Sequence, residues 1–306
     1  MRLLFIGGTR FFGRAAARLA VARGHQVDVF HRGRTPAGAV HGARDLIGDR
    51  MADRSALATG QWDAVIDTCG FRPGEIHAMA DTLGGRAGHY LFVSSISAYA
   101  PDIPHFSDES AALADTSGLD PATQATVLVD NDTYGPLKVL CEQAVQARHA
   151  RSAIVRPTFI VGPDDYTQRF PDWVRRLAAG GEVVAPGPAE APVQYIDARD
   201  LATFAVDLVE RGTQGSFNAV ATQGMFSFGD LLEGIAGAVA PAGTRLRWIT
   251  ADEARASGHA FPLWSGGESS GLGSVRGDAA RAQRLQCRPL ADTARDTLAW
   301  VRASAA

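Results

Sequence analysis

With 306 residues, 46% of them hydrophobic and 21% charged, the chain can bury a full core and lacks the polar bias of a disordered polypeptide. Its formal charge of −3 and its dispersed basic residues give no general attraction to nucleic acid or acidic membranes. Cys69, Cys141 and Cys287 lie far apart, and the eight histidines include no pair at metal-ligand spacing on a predicted helix, which argues against a disulfide framework and a metal site.

The N-terminal stretch Met1–Gly8 has too short an apolar run for a signal peptide or membrane span and reads as a buried strand, so a cytoplasmic protein is expected. Further strands are predicted at Gln26–Phe30, Arg44–Ile47, Ala64–Asp67 and His89–Ser94, after a first one at Arg2–Ile6. A helix over Phe12–Arg23 closes on Gly24, and a helical segment over Thr133–His149 leads into the apolar run Ala153–Val155, which ends at Arg156-Pro157. This alternation predicts an α/β fold, a Rossmann-type doubly wound parallel sheet with a smaller C-terminal substrate lobe. The rhythm loosens after Pro157. A dinucleotide-binding domain is therefore expected over residues 1–157, with later strands and helices returning from about 190–220, and a mainly substrate-binding lobe over 158–306. The Gly/Ser-rich stretch Gly266–Gly273 is expected to be a mobile loop.

Between the first strand and the first helix lies Gly7-Gly8-Thr9-Arg10-Phe11-Phe12-Gly13. Gly7 suits the tight turn and Gly13 the close helix-to-sheet approach, while the helix start offers N–H groups to a pyrophosphate. The second strand runs into His31-Arg32-Gly33-Arg34, with no acid where a ribose 2′-hydroxyl would need one; Asp28 falls inside the strand. Arg32 and Arg34 suit a 2′-phosphate instead, although a solvated basic turn is the plainer alternative.

Tyr134-Gly135-Pro136-Leu137-Lys138 places Tyr and Lys one helical turn apart. Lys138 is the chain's single lysine, every other cationic side chain apart from histidine being arginine. A compact ammonium can approach a ribose hydroxyl and lower a neighbouring phenol pKa where a forked guanidinium cannot. Packing for the Tyr and surface exposure for the Lys would be the ordinary alternative.

These segments together resemble the extended short-chain dehydrogenase/reductase family, the NAD-dependent epimerase/dehydratase-like group, and within it an atypical subgroup whose turn reads GGTRFxG. Arg10 stands where the commoner GxxGxxG pattern has its middle glycine. The resemblance extends through Arg156-Pro157-Thr158-Phe159-Ile160-Val161-Gly162-Pro163 and Gln194–Leu201. It implies that Tyr134 and Lys138 are catalytic together with Ser95 of Ser94-Ser95-Ile96-Ser97, with Ser94 and Ser97 as neighbours that sequence separates from it only weakly. It implies that Gly7, Thr9, Arg10, Phe11, Phe12 and Gly13 hold the pyrophosphate and that His31 occupies the usual acid's position. It further implies adenine-side contacts at Asp49 and Arg50, ribose-side contacts at Thr68, Cys69 and Gly70, and a cofactor contact at Pro157.

Members of such a family include sugar-nucleotide epimerases, dehydratases, ketone reductases and stem-loop RNA-binding proteins. Ile96 and Ser97 stand where dehydratases carry an acidic pair. Phe159 and Val193 stand where epimerases carry diphosphate donors, although Arg169 or Arg175 could replace them. Phe159, Phe261 and Trp264 would suit a less charged substrate in an apolar pocket, or pack as core. The reading is an NADP(H)-preferring reductase of a carbonyl or imine on a small organic substrate, with NAD(H) as the second cofactor choice. It is expected to act as a monomer or homodimer without nucleic-acid or membrane partners. The alternatives are a sugar-nucleotide epimerase with tightly held NAD, and a non-catalytic Rossmann-type RNA-binding or regulatory protein.

Overall fold

A computed structural model describes residues 1–36, 38–119, 126–267 and 269–305. The chain forms β1 (Arg2–Ile6), α1 (Phe11–Ala22), β2 (Gln26–His31), β3 (Arg44–Ile47), β4 (Trp62–Asp67), α2 (Pro73–Leu83), β5 (Ala87–Val93), α3 (Asn131–Arg148) and β6 (Ser152–Pro157). There follow β7 (Phe159–Val161), α4 (Arg169–Ala179), β8 (Glu182–Pro186), β9 (Tyr195–Asp197), α5 (Ala198–Arg211), β10 (Gly215–Ala219), α6 (Phe228–Val239), β11 (Arg245–Ile249), α7 (Ala251–Ala256), α8 (Asp278–Ala282) and α9 (Leu290–Ala305).

Seven parallel strands make the central sheet in the order β3-β2-β1-β4-β5-β6-β10. The order reverses at β1, so the carboxyl ends of β1 and β4 flank the crevice where such sheets bind ligands. Alternate residues of each strand feed opposite cores. Leu3, Phe5, Val27, Val29, Ile66, Leu91 and Val155 pack with α1 and α5 on one face. Leu4, Ile6, Val65, Tyr90, Phe92 and Ile154 pack with Ile76, Met79 and Leu83 of α2 and with Cys141 and Val145 of α3 on the other. A sheet buried on both faces has little use for polar strand positions, which is why its runs read as continuously apolar.

A third core lies outside the sheet. Phe170, Trp173 and Leu177 of α4 meet Phe228, Leu231 and Ile235 of α6 and Ala294 of α9, with the parallel pairs β7–β9 and β8–β11 alongside. Of the glycine-rich stretch expected to be mobile, residues 269–271 pack against the 101–107 segment. Residues 271–273 form a 3-10 turn capped by Ser270, and Gly271 is buried where a Cβ would lie 2.0 Å from the Ile103 carbonyl. Close backbone approach, rather than flexibility, accounts for glycine at that position. Among the described residues no helix is long and apolar enough to cross a membrane.

Candidate active site

Gly7 opens the turn after β1 with φ +90°, and a Cβ on it would stand 2.4 Å from the Thr68 hydroxyl. At Gly13 a Cβ would stand 2.8 Å from the Gly8 Cα. Both positions therefore need glycine, and the first N–H groups of α1, which have no intrahelical acceptor, follow directly on this turn. Phe11 and Phe12 are buried in the core beneath the turn, and Thr9 is half-buried. Arg10 caps α1 through extended backbone without a side-chain bond to the helix. Arg10 is exposed, and its guanidinium lies over the Tyr166 ring, 5.6 Å from the centroid.

His31 is buried at the end of β2. The Gly33 N–H donates to its Nδ1 at 3.2 Å, which leaves Nε2 as the protonated nitrogen facing Asp45 Oδ1 at 3.0 Å. This holds the turn that carries Arg32 and Arg34. Both arginines are exposed, and among the described residues neither has a carboxylate or hydrogen-bond partner.

Asp49 shapes the loop after β3 by accepting from the N–H groups of Met51 at 2.8 Å and Ala52 at 3.3 Å. Arg50, placed on the adenine side by sequence, instead directs its guanidinium inward. It donates to both Asp67 oxygens at 3.1 and 2.8 Å and to the Glu75 carbonyl at 3.1 Å. The Tyr90 hydroxyl donates to the same carboxylate at 2.7 Å. Burial pushes the Asp67 carboxyl up, but the Arg50 charge and the hydrogen bonds outweigh it and hold the group below its ordinary range.

After β4, the Thr68 hydroxyl donates to the Ile6 carbonyl at 3.0 Å, tying this loop to the end of β1 where the glycine turn begins. Burial pushes the neighbouring Cys69 thiol up to about 11, so it is a neutral packing group rather than a nucleophile. Gly70 contributes its carbonyl to the lysine described next.

Asp130 caps α3 by accepting from the N–H groups of Asp132 and Thr133, so the helix begins shortly before Tyr134. Lys138, one turn on, is 3% exposed. Its ammonium donates to the carbonyls of Gly70 at 2.8 Å and Val93 at 3.0 Å, and sits 5.7 Å from the Tyr134 ring centroid. The rings of Phe92 and Phe71 lie 4.8 and 5.1 Å away. Among the described residues no carboxylate pairs with it, and one of its three N–H donors is left over.

Ser95 follows β5. Its Oγ accepts from the Ser97 N–H and donates to the Ser97 hydroxyl, both at 3.1 Å. Ser94 is 3% exposed and its hydroxyl has no partner among the described residues, whereas Ser95 and Ser97 remain half-buried. Pro157 ends β6 opposite Ala219 of β10. Phe159, just beyond, lies under the Arg169 guanidinium at 5.4 Å, while Arg175 donates to Gln168 and Val193 is buried. Phe261 stacks on Trp173 and Trp264 meets Phe261 edge-on, so both rings contribute to the third core. The described residues contain no cluster of His, Cys, Asp or Glu suited to a metal.

Two features escaped the sequence reading. Arg156 and Glu142 form a buried ion pair at 2.6 Å that also binds the Tyr99 hydroxyl, fixing the loop after Ser95 to α3 and β6. Asp164 and Tyr166 reach back to α1, through contacts that only the three-dimensional path of the chain reveals.

The chain is 26% identical over 237 residues, 71% of its length, to the chloroplast stem-loop binding protein of 41 kDa b of Arabidopsis thaliana, and spans 58% of that relative. Its structure is similar to the Bordetella bronchiseptica enzyme WbmH in complex with NAD+, with TM-score 0.70, 15% identity and 98% coverage of both chains. It is also similar to the human epimerase family protein SDR39U1 with NADPH, with TM-score 0.65, 19% identity, and coverage of 97% of this chain and 100% of that one. At these identities the two structural likenesses are likenesses of fold. The NAD dependent epimerase/dehydratase family matches residues 3–219, well over half of the sequence and the whole of the central sheet from Leu3 onward, and the chain belongs to that family.

Proposed function

We propose that the protein is an NADP(H)-dependent reductase acting on a carbonyl or imine of a small organic substrate. The observation that carries this reading is the buried Lys138 ammonium, held by two carbonyl oxygens beside the Tyr134 ring without a carboxylate partner. A buried cation is costly where no carboxylate pairs with it, and its spare donor suits a ribose hydroxyl. The glycine turn suits a pyrophosphate, and the free guanidinium groups of Arg32 and Arg34 suit a 2′-phosphate.

The nicotinamide supplies the hydride when the cofactor is bound. Tyr134 delivers a proton to the substrate oxygen or nitrogen, and the Lys138 charge favours the phenolate left behind. Ser95 orients the carbonyl or imine by turning its hydroxyl proton from the Ser97 hydroxyl to that atom, while the Ser97 N–H keeps its oxygen in place.

The test is to incubate the protein with NADPH and a panel of carbonyl and imine compounds, following NADPH absorbance and product mass together. Net NADPH loss matched by a product two hydrogens heavier is expected. Conversion of a sugar nucleotide to an equal-mass isomer without NADPH loss would establish the epimerase instead. Salt-dependent binding of stem-loop RNA without turnover would favour a role like that named for the Arabidopsis relative.

A further inference from the structure

The segment between β7 and α4 reaches the first turn of α1 through three separate contacts. Asp164 pairs with Arg14 at 2.5 Å, the Arg10 guanidinium lies over the Tyr166 ring at 5.6 Å, and Phe11 meets that ring edge-on at 6.5 Å. Non-glycine residues in the left-handed region stand on both sides of the contact: Phe11 at φ +43°, Asp164 at φ +69° and Gln168 at φ +60°. Such conformations persist where surrounding structure imposes them, and they concentrate at ligand clamps and switch regions.

Asp165 anchors the segment from within. It is fully buried and accepts from the N–H groups of Thr167 at 2.9 Å and Phe170 at 3.3 Å. Tyr166 beside it is 60% exposed, so burial of apolar surface does not explain where its ring lies. What the ring does contact is the cation at the cap of the phosphate turn. A cation–π contact orients that charge yet leaves the guanidinium N–H donors free, and among the described residues no protein acceptor takes them.

We infer that residues 164–168 form a strap across the pyrophosphate end of the nucleotide site, in which Tyr166 positions Arg10 toward the phosphates and the Asp164–Arg14 pair fastens the strap to α1. The strap must lift for the nucleotide to leave, so it retards cofactor exchange. Tyr166 and Asp164 are positioning residues, remote from the Tyr134 chemistry. The inference rests on the nicotinamide-nucleotide reading of the site.

The test is stopped-flow release of bound NADPH, followed by its fluorescence after mixing with excess NADP+, for the whole chain and for Tyr166→Ala, Tyr166→Phe and Asp164→Asn. Tyr166→Ala and Asp164→Asn are expected to release NADPH about threefold to tenfold faster. Tyr166→Phe should stay near the unmodified protein because it keeps the ring face. The double change Asp164→Asn with Tyr166→Ala should add less than the product of the single effects, since both open the same strap. Release from Tyr166→Ala within twofold of the unmodified protein, or weakening seen only in association, would overturn the strap while leaving the cofactor reading intact. Failure of the unmodified protein to bind either NADPH or NADH would overturn both.

Discussion

Arg50 grips Asp67 with two guanidinium nitrogens, and the Tyr90 hydroxyl completes the carboxylate's shell from β5. The pair sits at the carboxyl end of β4, immediately before the Thr68-Cys69-Gly70 loop, so it fixes the backbone from which Gly70 reaches Lys138. Breaking a buried pair by removing one partner leaves an uncompensated charge, at a cost of about 3–5 kcal/mol.

Asp67→Asn should therefore lower stability by about that amount, measured by urea denaturation at neutral pH. The carboxyl is depressed in the folded protein, so its contribution is complete above the unfolded value near ~4 and is lost as pH falls through the lower folded value. Stability of the unmodified protein should accordingly fall in that acid window, and the variant should show a shallower fall there. Equal slopes for the two proteins below about pH 4 would show that Asp67 carries no such linkage.

Tyr134→Phe removes one hydroxyl from a half-buried ring and leaves the Lys138 contacts to Gly70 and Val93 intact. Turnover should drop by about a hundredfold or more while NADPH affinity and the unfolding midpoint hold. Steady-state kinetics paired with a fluorescence titration checks this. Turnover within a few-fold of the unmodified protein would remove Tyr134 from the acid/base role.

Arg32 and Arg34 hold no internal partner among the described residues, so their replacement costs the fold little. Each charge-assisted contact to a 2′-phosphate is worth about 1.5–3 kcal/mol before desolvation. NADPH is expected to bind about tenfold or more tightly than NADH, and the double change Arg32→Ala with Arg34→Ala should erase the difference by weakening NADPH alone. Isothermal titration of both nucleotides decides it, and an NADH preference in the unmodified protein would reduce these arginines to a solvated turn.

The sheet was legible because a strand buried on both faces leaves an apolar run, as at Leu3–Ile6 of β1, Tyr90–Val93 of β5 and Ala153–Val155 of β6, although the edge strand β3 has no buried residue; the edges of β1 to β6 moved by no more than two residues. The glycine turn and the Tyr134–Lys138 spacing were legible because each is local in sequence. Arg50 was misplaced because its position after a strand looks the same whether the side chain points to the crevice or to Asp67, a partner 17 residues on. Gly271 was read as flexible because a sequence does not distinguish glycine chosen for freedom from glycine chosen for the Ile103 backbone against it. The strap residues Asp164 and Tyr166 lie about 150 residues from Arg14 and Arg10, and no periodicity marks a contact of that range.

Lys138 offers the sharpest separation between a packing role and a chemical one. Its ammonium is buried, receives no carboxylate among the described residues, and satisfies two carbonyls, that of Gly70 in the loop after β4 and that of Val93 at the end of β5. Lys138→Met keeps the length of the side chain but strands both carbonyls, which should lower stability by about 1–3 kcal/mol. Lys138→Arg keeps the charge but replaces a compact ammonium, which has the Phe71 and Phe92 rings 5.1 and 4.8 Å away, with a longer planar fork. Both variants should lose nucleotide affinity as well as turnover, because the spare donor proposed for a ribose hydroxyl disappears or is displaced. The distinguishing measurement sets turnover and NADPH affinity, taken under conditions where each variant is fully folded, beside its urea denaturation: a chemical role predicts that turnover and affinity stay low even in the folded variant. A Lys138→Met protein that is less stable but, when folded, keeps turnover and NADPH affinity within a few-fold of the unmodified protein would show that Lys138 supports the fold and takes no part in the chemistry.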